Sequence, residues 1–152
     1  MTMRAGRNPE DKFLLVIIAM LFTLFLFYST CGRTDSHEQM KEAIRKEAIR
    51  QGVNPDIAVA IATVESNLNS HALGKNGDIG LFQIMPYHAK GRNLWIVKNN
   101  IRIGISIMRS CQESSRSTPA SIVCFNNGRS RHPKYPQLHP YYRKVMAAVE
   151  QL

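Results

Sequence analysis

The chain begins with an apolar run and continues with amphipathic patterns separated by short polar loops. Residues 13–28 are apolar except for Thr23, and three basic residues precede them: Arg4, Arg7 and Lys12. The run is long for a signal-peptide core and short for a membrane-spanning helix, so its length leaves both interpretations open. By the positive-inside tendency the basic flank stays in the cytoplasm, and we expect everything after residue 31 to be exported.

Beyond residue 35 the apolar positions recur at helical spacing, and no segment alternates with the period of two that indicates a strand. Gly52 predicts a helix end, Asn54 with Pro55 predicts a capped helix start, and Thr118 with Pro119 predicts another. We predict helices over about 36–51, 55–65, 100–111, 119–127 and 140–149, and a short helix starting near Gly80. The sequence therefore predicts an all-α fold, with a small helical domain over 32–152 behind an N-terminal segment over 1–31.

One carboxylate stands out against this background. Residues 57–64 read IAVAIATV and are followed directly by Glu65. A helix that is apolar on every side is buried, so desolvation and the helix macrodipole should both raise the pKa of a carboxyl group at its C-terminal end. Such a group suits a general acid. The alternative is a glutamate that caps the helix and points into water.

The charge balance favours an anionic partner. The chain has 20 Lys and Arg against 11 Asp and Glu, a formal net charge of +9. After residue 89 the only acidic residues are Glu113 and Glu150. A basic surface attracts nucleic acid, anionic lipid or the carboxylate-rich cell wall. Because no nucleic-acid-binding motif is present and the domain is expected outside the cytoplasm, we expect no nucleic-acid partner.

The three cysteines carry separate hypotheses. Cys31 follows the apolar run, so lipidation, ordinary cleavage and an uncleaved anchor all remain open; Tyr28 stands where lipoprotein signals usually have Leu. Cys111 and Cys124 remain for the exported domain, where disulfides are permitted. The two alternatives for this pair are a disulfide and two buried free thiols.

Several segments in order resemble the soluble lytic transglycosylases, lysozyme-like enzymes related to goose-type lysozyme. The strongest are ATVESNLN at 62–69 and GDIGLFQIMP at 77–86. Weaker matches are Asn100-Ile101 with Gly104, FNNG at 125–128, and Tyr141 with Lys144-Val145. The resemblance covers roughly residues 36–148 and implies a small lysozyme-like helical domain.

The resemblance implies a catalytic role for Glu65 as the single acid/base. It would protonate the β-1,4 glycosidic oxygen between N-acetylmuramic acid and N-acetylglucosamine, and then take the proton of the C6 hydroxyl as a 1,6-anhydro ring closes. Most glycosidases use two carboxylates. Asp78 is the candidate for a second one, and the preferred alternative is that Asp78 structures the loop before Gly80.

The resemblance also implies a set of substrate-binding residues: Ser66, Gly80, Phe82, Gln83, Phe125, Asn126 and Tyr141. Gln83 suits an N-acetyl or hydroxyl group because its amide both donates and accepts. Three of these have ordinary structural alternatives: Gly80 as a helix-start glycine, Asn126 as a helix cap and Tyr141 as core packing. Histidine spacing suggests no metal site, and no cofactor is expected.

The sequence departs from the family pattern at three positions. Phe82 stands where the family usually has Met. Phe125 stands where it usually has Tyr, which removes a hydroxyl that could bond the catalytic carboxylate, and Gly74 falls about where many members carry Ser.

The GDIG form at 77–80 and the two later cysteines resemble a subgroup, the specialised transglycosylases of conjugation and type III secretion systems. The partners so implied are peptidoglycan glycan strands, the inner membrane through residues 13–28, and secretion or conjugation machinery proteins. The location implied is the periplasm of a Gram-negative bacterium. Two other functions stay open: a non-catalytic peptidoglycan-binding assembly module and a hydrolytic, phage-type lysozyme.

Overall fold

The computed structural model describes residues 9–128 and 133–152, with side chains for all of these except 9–14 and 25–35. In these residues the α-helices are α1 (Pro9–Gln51), α2 (Pro55–Ser66), α3 (Val97–Ser114), α4 (Thr118–Asn127) and α5 (Pro140–Val149), with 3-10 turns at Pro86–His88 and Pro136–Leu138. The same residues contain two isolated β-bridges and no strand. The predicted all-α fold is confirmed.

The chain divides into two compact units, Met1–Glu38 and Gln39–Leu152. In the first unit, the apolar side chains described along α1 are exposed, Leu15 and Phe22 among them. None of the helices in the described residues is long and apolar enough to cross a membrane. The signal peptide or anchor predicted over 13–28 lies partly outside the side chains that are described, and Cys31 lies wholly outside them. Both the segment and the lipidation considered at Cys31 stay predictions.

Most of the helix boundaries follow the signals in the sequence. α1 ends at Gln51 because Gly52 takes a left-handed conformation, with φ +69°. The side chain of Asn54 caps α2, accepting from the backbone N–H groups of Asp56 (3.0 Å) and Ile57 (3.1 Å). The N-cap of α4 was predicted at Thr118 but is Ser117, whose hydroxyl accepts from the Ala120 N–H.

The core of the second unit is built around α2. The five residues 58–62 of this helix are at most 1% exposed. α2 packs against α5, and α4 packs against both α3 and α5. Ile44 and Ala48 at the end of α1 complete the core on another side. Because apolar side chains surround α2 on all faces, its C-terminal turn is the place where the helix leaves the core.

The short helix predicted near Gly80 does not form. Residues 80–83 instead make a tight turn in which the Gln83 N–H donates to the Gly80 carbonyl (3.1 Å), and Ile79 and Ile84 pair through two backbone hydrogen bonds of 3.0 Å. Gly80 has φ +73° and Gln83 has φ +45°, values that a right-handed helix cannot include. Only the 3-10 turn Pro86–His88 is helical here.

Asn100 holds this turn against α3. It is 1% exposed, and its Oδ1 accepts from the Phe82 N–H (2.9 Å). Its Nδ2 donates to the carbonyls of Ile79 (2.8 Å) and Leu94 (3.1 Å). A Cβ on Gly80 would lie 2.5 Å from this Nδ2, so the close approach requires glycine at position 80.

Phe82 lies in the core and not in a sugar-lining wall. Its side chain is 0% exposed, and a Cβ added to Gly104 of α3 would lie 2.4 Å from its ring. Its ring also meets that of Phe125 edge-on, with centroids 6.3 Å apart. The turn is therefore fixed to α3 by the hydrogen bonds of Asn100 and by the packing of Phe82 on Gly104.

A disulfide joins α3 to α4. Cys111 and Cys124 are bonded, with their Cα atoms 5.7 Å apart, and both are buried. The two helices therefore cannot separate while the bond is intact.

The Asn100→Ala variant should lower the free energy of unfolding by about 3 kcal/mol or more, because one N–H and two carbonyls lose their buried partner at roughly 1–3 kcal/mol each. Asn99→Ala is the matched control. The Asn99 side chain makes one exposed bond to the Asn93 carbonyl, so this change should cost less than about 1 kcal/mol. Denaturant unfolding followed by circular dichroism measures both. Equal losses would contradict the role assigned to Asn100.

Replacing both Cys111 and Cys124 by Ser should lower the free energy of unfolding by about 3 kcal/mol on the chain-entropy account of a loop this short. Thiol labelling of the denatured protein checks the bond itself. Of the three cysteines in the chain, at most one should react before reduction. Labelling of all three without reductant would contradict the bridge.

Candidate active site

Glu65 lies in the last turn of α2, half-buried, where that helix leaves the core. The Tyr141 hydroxyl donates a hydrogen bond of 2.5 Å to Glu65 Oε1. Tyr141 is the second residue of α5, after Pro140, and its N–H donates to the ring Nδ1 of the capping residue His139 (3.2 Å). The packing of α5 on α2 thus brings together two residues that are 76 positions apart.

Opposing effects set the pKa of Glu65. Burial raises it most, the hydrogen bond from Tyr141 lowers it, and the negative charge of Asp78 raises it, with a net displacement upward. Burial, together with the neighbouring Glu65 carboxylate, also raises the pKa of Tyr141, so the phenol stays protonated and donates. The burial predicted for Glu65 is therefore present, and so is a hydrogen-bond donor that the sequence did not reveal.

The hydroxyl expected beside Glu65 comes from a different helix. Phe125 has none, and Tyr141 supplies it. Tyr141 is buried, with 8% exposure, but its hydroxyl donates a hydrogen bond to Glu65. Core packing is therefore not its only role. The substitution at position 125 therefore leaves the carboxylate with a partner.

A cavity of about 1030 Å³ runs past Glu65. Among the residues predicted to form the site, it is lined by Glu65, Gln83, Phe125 and Asn126. Asp78 and both cysteines of the disulfide also line it. This volume is at the upper end of the range for ligand pockets and suits an extended ligand.

The loop that carries Asp78 is closed by its own backbone. The Gly74 N–H donates to the Asp78 carbonyl (2.8 Å), and the Gly80 N–H donates to the Ala72 carbonyl (2.8 Å). A Cβ on Gly74 would lie 1.6 Å from Asp78 Oδ2 and 2.7 Å from Gln83 Oε1. No side chain fits at position 74 in this conformation, because the Asp78 carboxylate fills the space.

Gln83 is held in one orientation. Its side-chain Nε2 donates to the carbonyls of Gly80 (2.9 Å) and Ala72 (3.3 Å). Both amide hydrogens therefore have partners in the loop, and Oε1 is the atom left to accept from a ligand. Its left-handed backbone, with φ +45°, turns the chain so that this side chain lines the cavity.

Asn126 and Phe125 come from the C-terminal turn of α4. Asn126 is exposed and lines the cavity, and the helix cap is Gly128, whose N–H donates to the Cys124 carbonyl (2.8 Å). The alternative of Asn126 as the helix cap is therefore wrong. Phe125 is half-buried between the cavity and the core residue Phe82.

Four of the seven predicted substrate-binding residues do not line the cavity: Ser66, Gly80, Phe82 and Tyr141. The Ser66 hydroxyl donates to the Leu81 carbonyl (2.9 Å), which ties α2 to the turn, and it also lies 3.2 Å from the Ala62 carbonyl of its own helix. Gly80 and Phe82 are buried against α3. Ser66, Gly80 and Phe82 shape the turn that carries Gln83, whereas Tyr141 acts on the site through its bond to Glu65.

Sequence reasoning missed the cations of the cavity wall. Those that line it are Arg50, Lys90, Arg92 and Arg102. In the sequence they are scattered over three segments and resemble ordinary solvated charges. The only signal was the excess of basic residues in the second half of the chain.

The sequence matches the profile of the transglycosylase SLT domain over residues 42–141. This range covers about two thirds of the chain and extends from the end of α1 to Tyr141, so it includes Glu65, Gln83 and Asn126. A comparison with curated proteins gives no significant match. The chain belongs to the transglycosylase SLT domain family, whose members are peptidoglycan lytic transglycosylases, lyases that act on glycosidic bonds.

Proposed function

We propose that this protein cleaves the β-1,4 bond between N-acetylmuramic acid and N-acetylglucosamine in peptidoglycan and leaves a 1,6-anhydro end, with Glu65 as its single acid/base. The observation that carries the proposal is the half-buried Glu65 carboxyl, which has a raised pKa, accepts a hydrogen bond from Tyr141 and lines a large cavity. Family membership supports the class of substrate.

In the first step the protonated Glu65 carboxyl donates its proton to the glycosidic oxygen, and the bond from that oxygen to C1 of the muramic acid breaks. Positive charge develops at C1, and Glu65 becomes a carboxylate. The hydrogen bond from Tyr141 favours this charged form, because it lowers the pKa that burial raises.

In the second step the C6 hydroxyl of the same sugar attacks C1, and Glu65 takes its proton. The ring closes, no water enters, and the carboxyl group is restored for the next cycle. One group thus serves first as acid and then as base, so its pKa has to allow both the protonated and the ionised form during the cycle. Burial favours the acid form, and the phenol of Tyr141 favours the base form.

The cavity offers polar and apolar contacts to a glycan strand of peptidoglycan. Gln83 Oε1 is placed to accept from an amide N–H, such as that of an N-acetyl group, since its own N–H groups are occupied. Asn126 has an exposed amide for a further hydrogen bond, and Phe125 gives an apolar surface for a sugar face.

We further propose that the enzyme acts in the periplasm of a Gram-negative bacterium, exported or anchored through residues 13–28. There it would open the wall locally for a secretion, conjugation or pilus apparatus. The basic flank before residue 13, the GDIG form at 77–80 and the disulfide of the second unit support this.

Glu65→Gln should lower activity by about 10²- to 10⁴-fold, because glutamine keeps the shape and can accept from Tyr141 but has no proton to give. Glu113→Gln is the control, since Glu113 is exposed on α3, pairs with Arg109 and lies outside the cavity lining. The assay is mass spectrometry of products released from peptidoglycan by the full-length chain in mild detergent.

The products separate the proposal from its rivals. Release of 1,6-anhydromuropeptides by the parent protein and by Glu113→Gln, with loss in Glu65→Gln, is the expected result. Hydrated reducing-end sugars alone would identify a lysozyme. Sedimentation with peptidoglycan without any release would identify a binding module.

Tyr141→Phe and Asp78→Asn should move the alkaline limb of the pH–rate profile in opposite directions. Glu65 must be protonated to start the reaction, so kcat/KM falls as pH rises through its pKa. Removing the Tyr141 hydroxyl removes an effect that lowers this pKa, and the limb moves to higher pH. Removing the Asp78 charge removes an effect that raises it, and the limb moves to lower pH. Shifts in the same direction would contradict this assignment.

A further inference from the structure

The wall of the cavity carries more positive charge than a neutral sugar chain needs. Its four cationic side chains are Arg50, Lys90, Arg92 and Arg102, against the carboxylates of Glu65 and Asp78. Hydroxyl and N-acetyl groups are neutral, so uncharged donors and acceptors together with aromatic faces suffice to bind them. Cations in a binding cleft indicate that part of the ligand is anionic.

One of the four cations, Arg50, is already paired inside the protein. Arg50 Nε donates to Glu47 Oε2 (2.8 Å), and its Nη2 donates to Oε1 of the same carboxylate. The hydrogen bond from Arg50, and more weakly the charge of Arg102, lower the pKa of Glu47. These two arginines and Glu47 therefore form a local cluster of mixed charge.

Lys90 and Arg92 have no such compensation. Both are exposed, and neither forms an ion pair within residues 9–128 and 133–152. Both lie in the loop after the 3-10 turn Pro86–His88. The loop is anchored at Ala89, which is 9% exposed, donates to the Pro86 carbonyl and accepts from the Arg92 N–H, both at 3.0 Å.

An aromatic residue accompanies these two charges. Tyr87 is exposed and lines the cavity, as does His88. The centroids of their two rings are 4.3 Å apart. An exposed tyrosine can pack on a sugar face while the neighbouring cations reach groups that project from the sugar. The segment 87–92 is thus suited to a sugar chain that carries anionic branches.

We propose that Lys90 and Arg92 bind the free carboxylates of the peptide stems, so that the enzyme prefers glycan strands whose stems are present and charged. The proposal rests on the function proposed above. The stems project from the lactyl group of N-acetylmuramic acid, the sugar at the cleaved bond, and they carry carboxylates. A strand that reaches Glu65 therefore brings anions into the cavity where these two side chains lie.

The test compares two substrates that differ only in charge: stem-bearing strands, and the same strands with their stem carboxylates amidated. The full-length parent protein should cleave the charged strands with a kcat/KM about threefold to tenfold higher, as two exposed ion pairs allow. The Lys90→Gln/Arg92→Gln variant should lose this preference. The control, Lys98→Gln/Lys144→Gln, removes the same charge from exposed positions outside the cavity lining and should keep it. Added salt should shrink the preference of the parent protein.

Equal cleavage of both substrates by the parent protein would overturn the proposal, as would a preference that survives in Lys90→Gln/Arg92→Gln. Neither result would affect the acid/base role of Glu65. Co-sedimentation of the Glu65→Gln variant with each substrate decides the matter independently of turnover: tighter binding of the charged strands supports the proposal, and equal binding overturns it. A parent protein that releases no anhydro products from either substrate would instead refute the proposed function.

Discussion

The burial of α2 is the constraint on which the rest of the site depends. A helix that is apolar over 57–64 except for Thr63 has to lie inside the domain, so the carboxylate that follows it emerges at one place only. α5 packs directly on this helix and brings Tyr141 to the same point. The raised pKa of Glu65 is thus a result of packing, because the side chains that exclude water from the helix also exclude it from the carboxyl group.

The part of the cavity wall that carries Gln83 is made by a turn and not by a helix. Left-handed residues such as Gly80 and Gln83 cannot stabilise one another as helical residues do, so their conformation needs support from outside the segment. Asn100 gives that support from α3 with two hydrogen bonds, one to the Phe82 N–H and one to the Ile79 carbonyl, and Ser66 adds one from α2. The side chain of Gln83 is therefore as firmly placed as one on a helix, although it comes from a loop.

Helix periodicity and capping residues predicted α2 to α5 and the end of α1 to within a few residues, because both signals are local. The start of α1 was wrong, since this helix begins at Pro9 and not near residue 36. The burial of Glu65 followed from the same periodicity. The turn at 80–83 was missed because glycine also begins helices, and the partner that decides the matter, Asn100, lies in another helix. Tyr141 was expected near the site, but its bond to Glu65 was missed, as were the unpaired charges of Lys90 and Arg92. The importance of these groups depends on what lies beside them in space.

The contact between Phe82 and Gly104 links two distant positions. There is no room for even a methyl group at 104 while a ring fills the space beside it, and a smaller residue at 82 would leave a void. Neither position can therefore change size alone without a loss of stability. A larger residue at one is tolerable only with a smaller residue at the other, so these two positions, 22 residues apart, are free to vary in a lineage only as a pair.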